Sequence, residues 1–205
     1  MVENIEMEFY SSITDYYDFI FPFKQVQLDF VRVSLESSGA GRPAYGNPAV
    51  LDIGCATGSL AIGLAREGFS VTAADFDESM IAAARIRAAR ELDPSSDIRF
   101  RQLDMREIGT VFRDCGFDAL ICFGNTLVHL TETDEISDFL RQTAAVLGPR
   151  GIFMMQIINY DRILDRNIDG LASIENDQVR FERCYEYEAG TGLINFKTCL
   201  TDKKT

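Results

Sequence analysis

The feature that most constrains this chain is the stretch Val50-Leu51-Asp52-Ile53-Gly54-Cys55-Ala56-Thr57-Gly58-Ser59. A short apolar run ending at Ile53 predicts a buried strand, and Gly54 and Gly58 predict a tight turn that opens directly into a helix. A strand buried on both faces belongs in a layered α/β domain. The helix is expected from about Ser59 to Glu67, with Leu60, Ala61, Leu64 and Ala65 inward and Gly68 just past its end.

The same alternation continues downstream. Strand two is predicted at Ser70–Asp75, followed by a helix through Met80, Ile81, Ala84 and Ala88 with Asp77 as its N-cap. Strand three is Ile98–Leu103, with a short turn around Met105–Ile108. The apolar run Phe117–Phe123 predicts a central strand covered on both faces. A helix from about Thr133 to Leu147 carries Ile136, Phe139, Leu140 and Ala144 on one side and closes at Gly148-Pro149. Ile152–Ile158 is the fifth strand. Upstream, Tyr10, Ile13, Tyr17 and Ile20, then Val26, Phe30 and Val33, recur at helical spacing. They predict two short amphipathic helices broken at Phe21-Pro22-Phe23, and Ser37–Pro48 reads as a surface connection. From Gln178 to Thr201, Val179, Phe181, Tyr185 and Tyr187 alternate with charged residues, and Gly190-Thr191-Gly192 supplies a turn, giving an antiparallel hairpin with one wet face.

The expected fold is therefore α/β: a doubly wound, Rossmann-like parallel sheet with an N-terminal helical cap and a C-terminal antiparallel hairpin. The expected organisation is a cap over 1–47, a ligand-binding core over 48–160, and a helix and hairpin over 161–205.

Composition narrows the function. Hydrophobic residues at 46% and charged residues at 25% are ordinary for a soluble globular protein. A net charge of −12 repels phosphate backbones and disfavours a nucleic-acid partner. No apolar stretch reaches the length of a membrane span, and the acidic start MVENIEMEF does not read as a signal peptide. The five cysteines, Cys55, Cys115, Cys122, Cys184 and Cys199, show no CxxC spacing. They are expected to be reduced, mostly buried thiols of a cytoplasmic protein rather than a disulfide or metal framework.

Asp52-x-Gly54-x-x-x-Gly58 lacks the G-x-G-x-x-G spacing of dinucleotide enzymes, and no third glycine is placed to cradle a pyrophosphate. A ligand without phosphates is the better expectation, which disfavours a nicotinamide-dependent oxidoreductase. Asp75 and Asp104 follow successive strands, at the end of the sheet where open α/β folds bind ligands. A carboxylate at Asp75 can accept from both hydroxyls of a ribose, and one at Asp104 from an adenine amino group.

With VLDIGCATGSLAIGLAREG, VTAADFDESM and FRQLDMREI together, residues 49–158 resemble the class I S-adenosylmethionine-dependent methyltransferases. The resemblance implies S-adenosylmethionine as cofactor, with Asp75 at its ribose, Phe76 and Met80 flanking the adenine, and Asp104 with the Met105 backbone at the adenine edge. Gly54, Cys55 and Gly58 would lie in the turn beside the methionine moiety, with Asp52 supporting it. An N-terminal Tyr-Asp such as Tyr17-Asp18 covers the methionine end in such families, making Tyr10 and Tyr17 cofactor candidates. FDALICFGNTLVHL and GIFMMQIINYDRIL are similar, more narrowly, to glycine N-methyltransferases and related small-molecule enzymes. That similarity places the Phe123 and Gly124 backbone at the methionine amino group and Asn125 at the substrate. His129, four residues on, shares a face with Asn125 if the segment is helical, so Asn125 and His129 are the catalytic-site candidates, as positioning groups. The arginine that precedes Asn-Tyr-Asp in the glycine enzymes and pairs with the substrate carboxylate is Ile158 here, which argues against glycine itself.

The expected function is methyl transfer to a small molecule by in-line displacement. The alternatives are an inactive methyltransferase-like binding or regulatory protein and, less favoured, the oxidoreductase. The hairpin resembles an insertion after strand five, and the chain stops where families of this kind supply a final helix and strands. A shortened C-terminus is thus expected, competing with a hairpin that itself forms strands six and seven. A shortened end leaves the strand-five edge to the hairpin or a second subunit, so a homodimer through that edge or the hairpin is the expected assembly.

Overall fold

The computed structural model describes residues 10–39 and 46–203. The first nine residues of the expected cap and most of the Ser37–Pro48 connection lie outside them. The chain divides into two compact units, Met1–Thr14 with Phe23–Ile157, and Asp15–Pro22 with Ile158–Thr205. In chain order the helices are α1 (described over 10–13), α2 (Tyr17–Ile20), α3 (Gln25–Ser38), α4 (Ser59–Arg66), α5 (Glu78–Glu91), α6 (Ile108–Val111), α7 (Thr133–Val146) and α8 (Tyr160–Asp165). The strands are β1 (Ala49–Ile53), β2 (Ser70–Asp75), β3 (Ile98–Gln102), β4 (Phe117–Cys122), β5 (Leu147–Met155), β6 (Gly170–Glu175), β7 (Val179–Glu188) and β8 (Leu193–Asp202).

The first unit is built on a parallel sheet of order β3-β2-β1-β4-β5. Alternation along β1 sends Val50 into one core cluster, with Leu60, Leu64 and Ile121, and Leu51 and Ile53 into the other, with Ile108, Leu120 and Phe139. Both faces are thus covered, which is why β1 and β4 read as apolar runs. Asp118, inside the β4 run, is accommodated because its carboxylate accepts the Ala49 amide at 2.8 Å.

Two expectations change here. On α3 the buried stripe is Leu28, Val31 and Leu35, whereas Val26, Phe30 and Val33 are 69%, 55% and 51% exposed. Both stripes have helical period. Leu28 wins because its methyl packs over Gly63 on α4, where a Cβ would come within 2.9 Å. Strand five starts earlier and ends earlier than expected: Leu147 already pairs with Phe117, and a register shift absorbs the Gly-Pro before Ile152 meets Ala119.

In the second unit the hairpin β7–β8 forms as expected, with Val179 and Phe181 fully buried. Phe21 meets Phe181 edge to face at 5.9 Å, and Asn176 Nδ2 donates to the Phe19 carbonyl at 2.8 Å. The sequence pattern missed β6, which pairs antiparallel with β7 to give the order β6-β7-β8. A bulge between Leu171 and Ile174 breaks the alternation that would have marked it. Among the described residues the hairpin pairs within this sheet, not with β5.

All five cysteines are free, but only Cys55 and Cys122 are buried; Cys115, Cys184 and Cys199 are exposed, against the expectation of mostly buried thiols. Strand alternation explains two of them, since Cys184 and Cys199 fall on the wet face of the hairpin. Among the described residues no helix is long and apolar enough to cross a membrane.

Candidate cofactor and active site

The turn after β1 is tied to β2 by backbone bonds: the Gly54 and Cys55 amides both donate to the Ala74 carbonyl, at 2.8 and 3.1 Å. Asp75 completes the tie. Its Oδ2 accepts the Ala56 amide at 2.8 Å and its Oδ1 the Asp77 amide at 3.0 Å. Gly54 and Gly58 sit at φ 73° and 74°, a region hostile to other side chains. The structure adds a second reason these residues are glycine. A Cβ on Gly54 would fall 2.3 Å from Thr126 Oγ1, and one on Gly58 would fall 2.8 Å from the Phe100 ring. The chain's own side chains claim that space. At Gly124, also at φ 73°, a Cβ would meet nothing within 4 Å, so this glycine leaves open surface.

Asp52 and Asp75 bring two carboxyls to the ends of adjacent strands. Burial, reinforced by Asp75, pushes the Asp52 pKa up from 3.8 to about 7. Burial also raises Asp75, against the pull of its two amide donors and of His129. The Cys122 thiol beside them is pushed up to about 12 by burial and by Asp52, and Cys55 is raised by burial and by both carboxyls. Both thiols are therefore inert packing groups. Asp52 makes no side-chain hydrogen bond to the turn among the described residues; it stands there as a buried carboxyl.

The loops after β2 and β4 meet α1. Asp77 caps α5 by accepting the Ser79 and Met80 amides at 2.8 and 3.1 Å, and it accepts Ser11 Oγ at 2.7 Å. One residue earlier, the Tyr10 hydroxyl lies 3.1 Å from His129 Nε2. Ser11 and Thr126 are site residues that sequence reasoning missed, because neither belongs to a motif with a fixed spacing to its partner.

Other candidates are placed as follows. Thr126–His129 is a 3₁₀ turn, with Asn125 before it at φ 74° and bonded through its amide to the Gln156 carbonyl at 3.2 Å. Three residues per turn remove the face-sharing expected of Asn125 and His129, since four residues then span a turn and a third. Phe76 is 44% exposed, while Met80 is 1% exposed and offers a ligand no surface in this conformation. Asp104 is engaged by Arg106, through its backbone amide at 2.8 Å and its guanidinium at 2.7 Å. Met105 packs half-buried on the core cluster of Ile108 and Phe112. Phe123 is buried, 6.2 Å from the Phe30 ring. Tyr17 belongs to the second unit, its ring 5.1 Å from Phe21.

Residues 50–151 match the family described as a methyltransferase domain. The chain belongs to the class I S-adenosylmethionine-dependent methyltransferases. The chain is 33% identical over 168 residues to the glycine/sarcosine N-methyltransferase of Parasynechococcus marenigrum (strain WH8102), covering 80% of the chain and 55% of the relative. It is 34% identical over 129 residues to the glycine N-methyltransferase of Rattus norvegicus, covering 58% and 43%. The crystal structure of an S-adenosylmethionine-dependent methyltransferase from Clostridium acetobutylicum ATCC 824 shares the fold, with a TM-score of 0.71 at 18% identity, over 93% of this chain and 74% of the other. The chain spans about half the length of the curated relatives it matches.

Proposed function

We propose that this methyltransferase binds S-adenosylmethionine at the carboxyl end of its parallel sheet and transfers the methyl group to a small molecule. The observation that carries this is the Asp52–Asp75 pair. Two mutually repelling, desolvated carboxyls favour a ligand that brings positive charge and hydroxyl donors, and disfavour a dinucleotide that brings phosphates. S-adenosylmethionine fits that donor set through its sulfonium, ammonium and ribose hydroxyls. The small-molecule acceptor is supported by relatives named for glycine and sarcosine.

In this reading Asp75 holds the ribose hydroxyls with the lone pairs its two amide donors leave available. The exposed Phe76 ring covers the adenine, and Asp104 with the Met105 backbone borders its edge. Met80 supports that wall from the core. Cys55 and the Phe123–Gly124 backbone border the methionine end, and Tyr10 closes over it. When bound, S-adenosylmethionine supplies an electrophilic methyl group. The chain's task is alignment, worth several kcal/mol of the barrier, and Asn125 and His129 are the groups placed to orient an acceptor. Free thiols support a reducing, cytoplasmic setting. The edge position of β5, with Met155 and Ile157 exposed beside it, supports a homodimer through that edge.

Calorimetric titration with S-adenosylmethionine, S-adenosylhomocysteine and NAD tests the ligand. Binding of NAD without binding of S-adenosylmethionine sinks the proposal. Radiolabelled methyl transfer to a panel of amines, amino acids and phenols tests the reaction. Cofactor binding with no acceptor methylated would favour a binding or regulatory role.

A further inference from the structure

The loop after β3 carries a cation that the proposed cofactor contacts do not use. Arg106 lies two residues past Asp104 and holds its carboxylate with three N–H groups. The Arg106 amide donates to Asp104 Oδ1 at 2.8 Å, Nε to Oδ1 and Oδ2 at 3.1 and 2.9 Å, and Nη2 to Oδ2 at 2.7 Å. An ionised carboxylate offers about four acceptor positions. Three donors, one of them shared between both oxygens, fix the plane of the group and leave about one position open. Burial pushes the Asp104 carboxyl up, but the hydrogen bonds and charge of Arg106 outweigh it and hold the group below 3.8. The Asp104 side chain keeps 20% of its surface exposed, so a ligand can reach it.

Arg106 is itself held by α7, at its side chain and at its main chain. Its Nη1 donates to Glu135 Oε1 at 3.3 Å, and its carbonyl accepts Gln142 Nε2 at 2.8 Å. Gln142 Oε1 in turn accepts the Gly109 amide at 2.7 Å, and a Cβ on Gly109 would fall 2.9 Å from Gln142 Cγ. Glu135 and Gln142 are seven residues apart, about two turns along one face of the helix. An arginine exposed to this degree adds little to stability through ion pairs alone. A planar fork that meets both oxygens of one carboxylate does more for orientation than for stability.

We infer that Arg106 is a positioning residue for adenine recognition: it fixes the Asp104 carboxylate with one acceptor position aimed at the ring edge, where the 6-amino group of the cofactor donates. This role rests on the proposed place of Asp104 at the adenine. A carboxylate free to turn would be hydrated on both oxygens and would have to be ordered each time the cofactor binds. A lysine at this position would keep the charge without the fork.

Calorimetric titration of the full chain with S-adenosylhomocysteine and with its 6-deamino analogue, which carries purine in place of adenine, reads what the amino group contributes. The wild-type chain should bind S-adenosylhomocysteine about tenfold or more tightly than the analogue, as expected for one hydrogen bond to a charged group. Arg106→Met should cut that ratio to about threefold or less by weakening S-adenosylhomocysteine, and Arg106→Lys should restore only part of it. A purely structural role for Arg106 would weaken both ligands alike and leave the ratio unchanged. In Asp104→Ala the ratio should already have collapsed, and adding Arg106→Met should change it no further. Failure of the wild-type chain to bind S-adenosylhomocysteine sinks the cofactor reading itself, and a ratio untouched by Asp104→Ala removes Asp104 from the adenine. A ratio lost in Asp104→Ala but kept in Arg106→Met, or fully restored by Arg106→Lys, overturns the role of Arg106.

Discussion

The Tyr10 hydroxyl lies 3.1 Å from His129 Nε2, with the two rings edge to face at 5.7 Å and 77°. Its neighbour Ser11 donates to Asp77. Two consecutive residues of α1 therefore tie the loop after β4 to the loop after β2, across the turn that follows β1. Tyr10→Phe keeps the ring packing and removes the bond to His129. The expected loss is about 1 kcal/mol of unfolding free energy, with faster amide exchange over 126–130 and weaker S-adenosylhomocysteine binding. Wild-type behaviour in all three measurements would show that the tie carries no weight.

Asp52 makes stability depend on pH. A carboxyl raised from 3.8 to about 7 contributes stability that is fully present below 3.8 and is lost as pH rises through about 7. Asp52→Asn carries no such charge. Relative to wild type it should gain stability between pH 5 and pH 8, on the order of 2–4 kcal/mol for a shift of this size. Urea denaturation of both proteins at the two pH values measures the difference. A difference that does not grow with pH would show that Asp52 is well solvated.

The same carboxyl couples to the cofactor. A cationic ligand beside Asp52 favours its ionised form, so binding S-adenosylmethionine near pH 7 should release a proton, and affinity should rise between pH 6 and pH 8. S-adenosylhomocysteine lacks the sulfonium charge and should release less. The apparent binding enthalpy in two buffers of different ionisation enthalpy reports the proton count. Equal release by the two ligands would place the sulfonium away from Asp52.

Much of the first unit was legible because its signals are local. β1 and β2 fall where the apolar runs and their bounding residues place them, and Asp77 caps α5 as its position predicts. What escaped depends on partners distant in sequence. Val26, Phe30 and Val33 have the same period as Leu28, Val31 and Leu35, and only the groove at Gly63 decides between the two stripes. The glycines of the turn were legible as a turn, but their close contacts with Thr126 and Phe100, distant in sequence, were not. Nothing near His129 in sequence signals Tyr10, 119 residues away. β6 was hidden by its bulge.

Gly54→Ala tests the contact with Thr126. The substitution incurs left-handed strain of about 1–2 kcal/mol and drives a methyl to 2.3 Å from Thr126 Oγ1. Thr126→Ala in the same chain removes Oγ1 and Cγ2, the two closest atoms, and leaves Cβ at 2.9 Å. The double variant should regain part of the lost melting temperature while keeping the strain. A double variant no more stable than Gly54→Ala alone would mean that backbone strain, not Thr126, sets the requirement for glycine.

Asp77 holds both the start of α5 and Ser11 of α1, so its loss should be felt beyond one helix. Removing an N-cap carboxylate costs about 0.5–2 kcal/mol, and Ser11 loses its acceptor as well. Burial raises the Asp77 pKa, but hydrogen bonds from Ser79, Ser11 and the Met80 amide outweigh it and hold the carboxyl below 3.8. A depressed pKa contributes stability that is present above 3.8 and is lost as pH falls through the folded value. The stability gap between wild type and Asp77→Ala should therefore be largest at pH 7 and narrow by pH 3, as the wild-type carboxyl takes up its proton. Asp77→Asn keeps an acceptor oxygen for the Ser79 and Met80 amides and should retain most of the pH 7 stability. If Asp77→Asn instead falls as far as Asp77→Ala at pH 7, the negative charge at the helix start matters more than the hydrogen bonds.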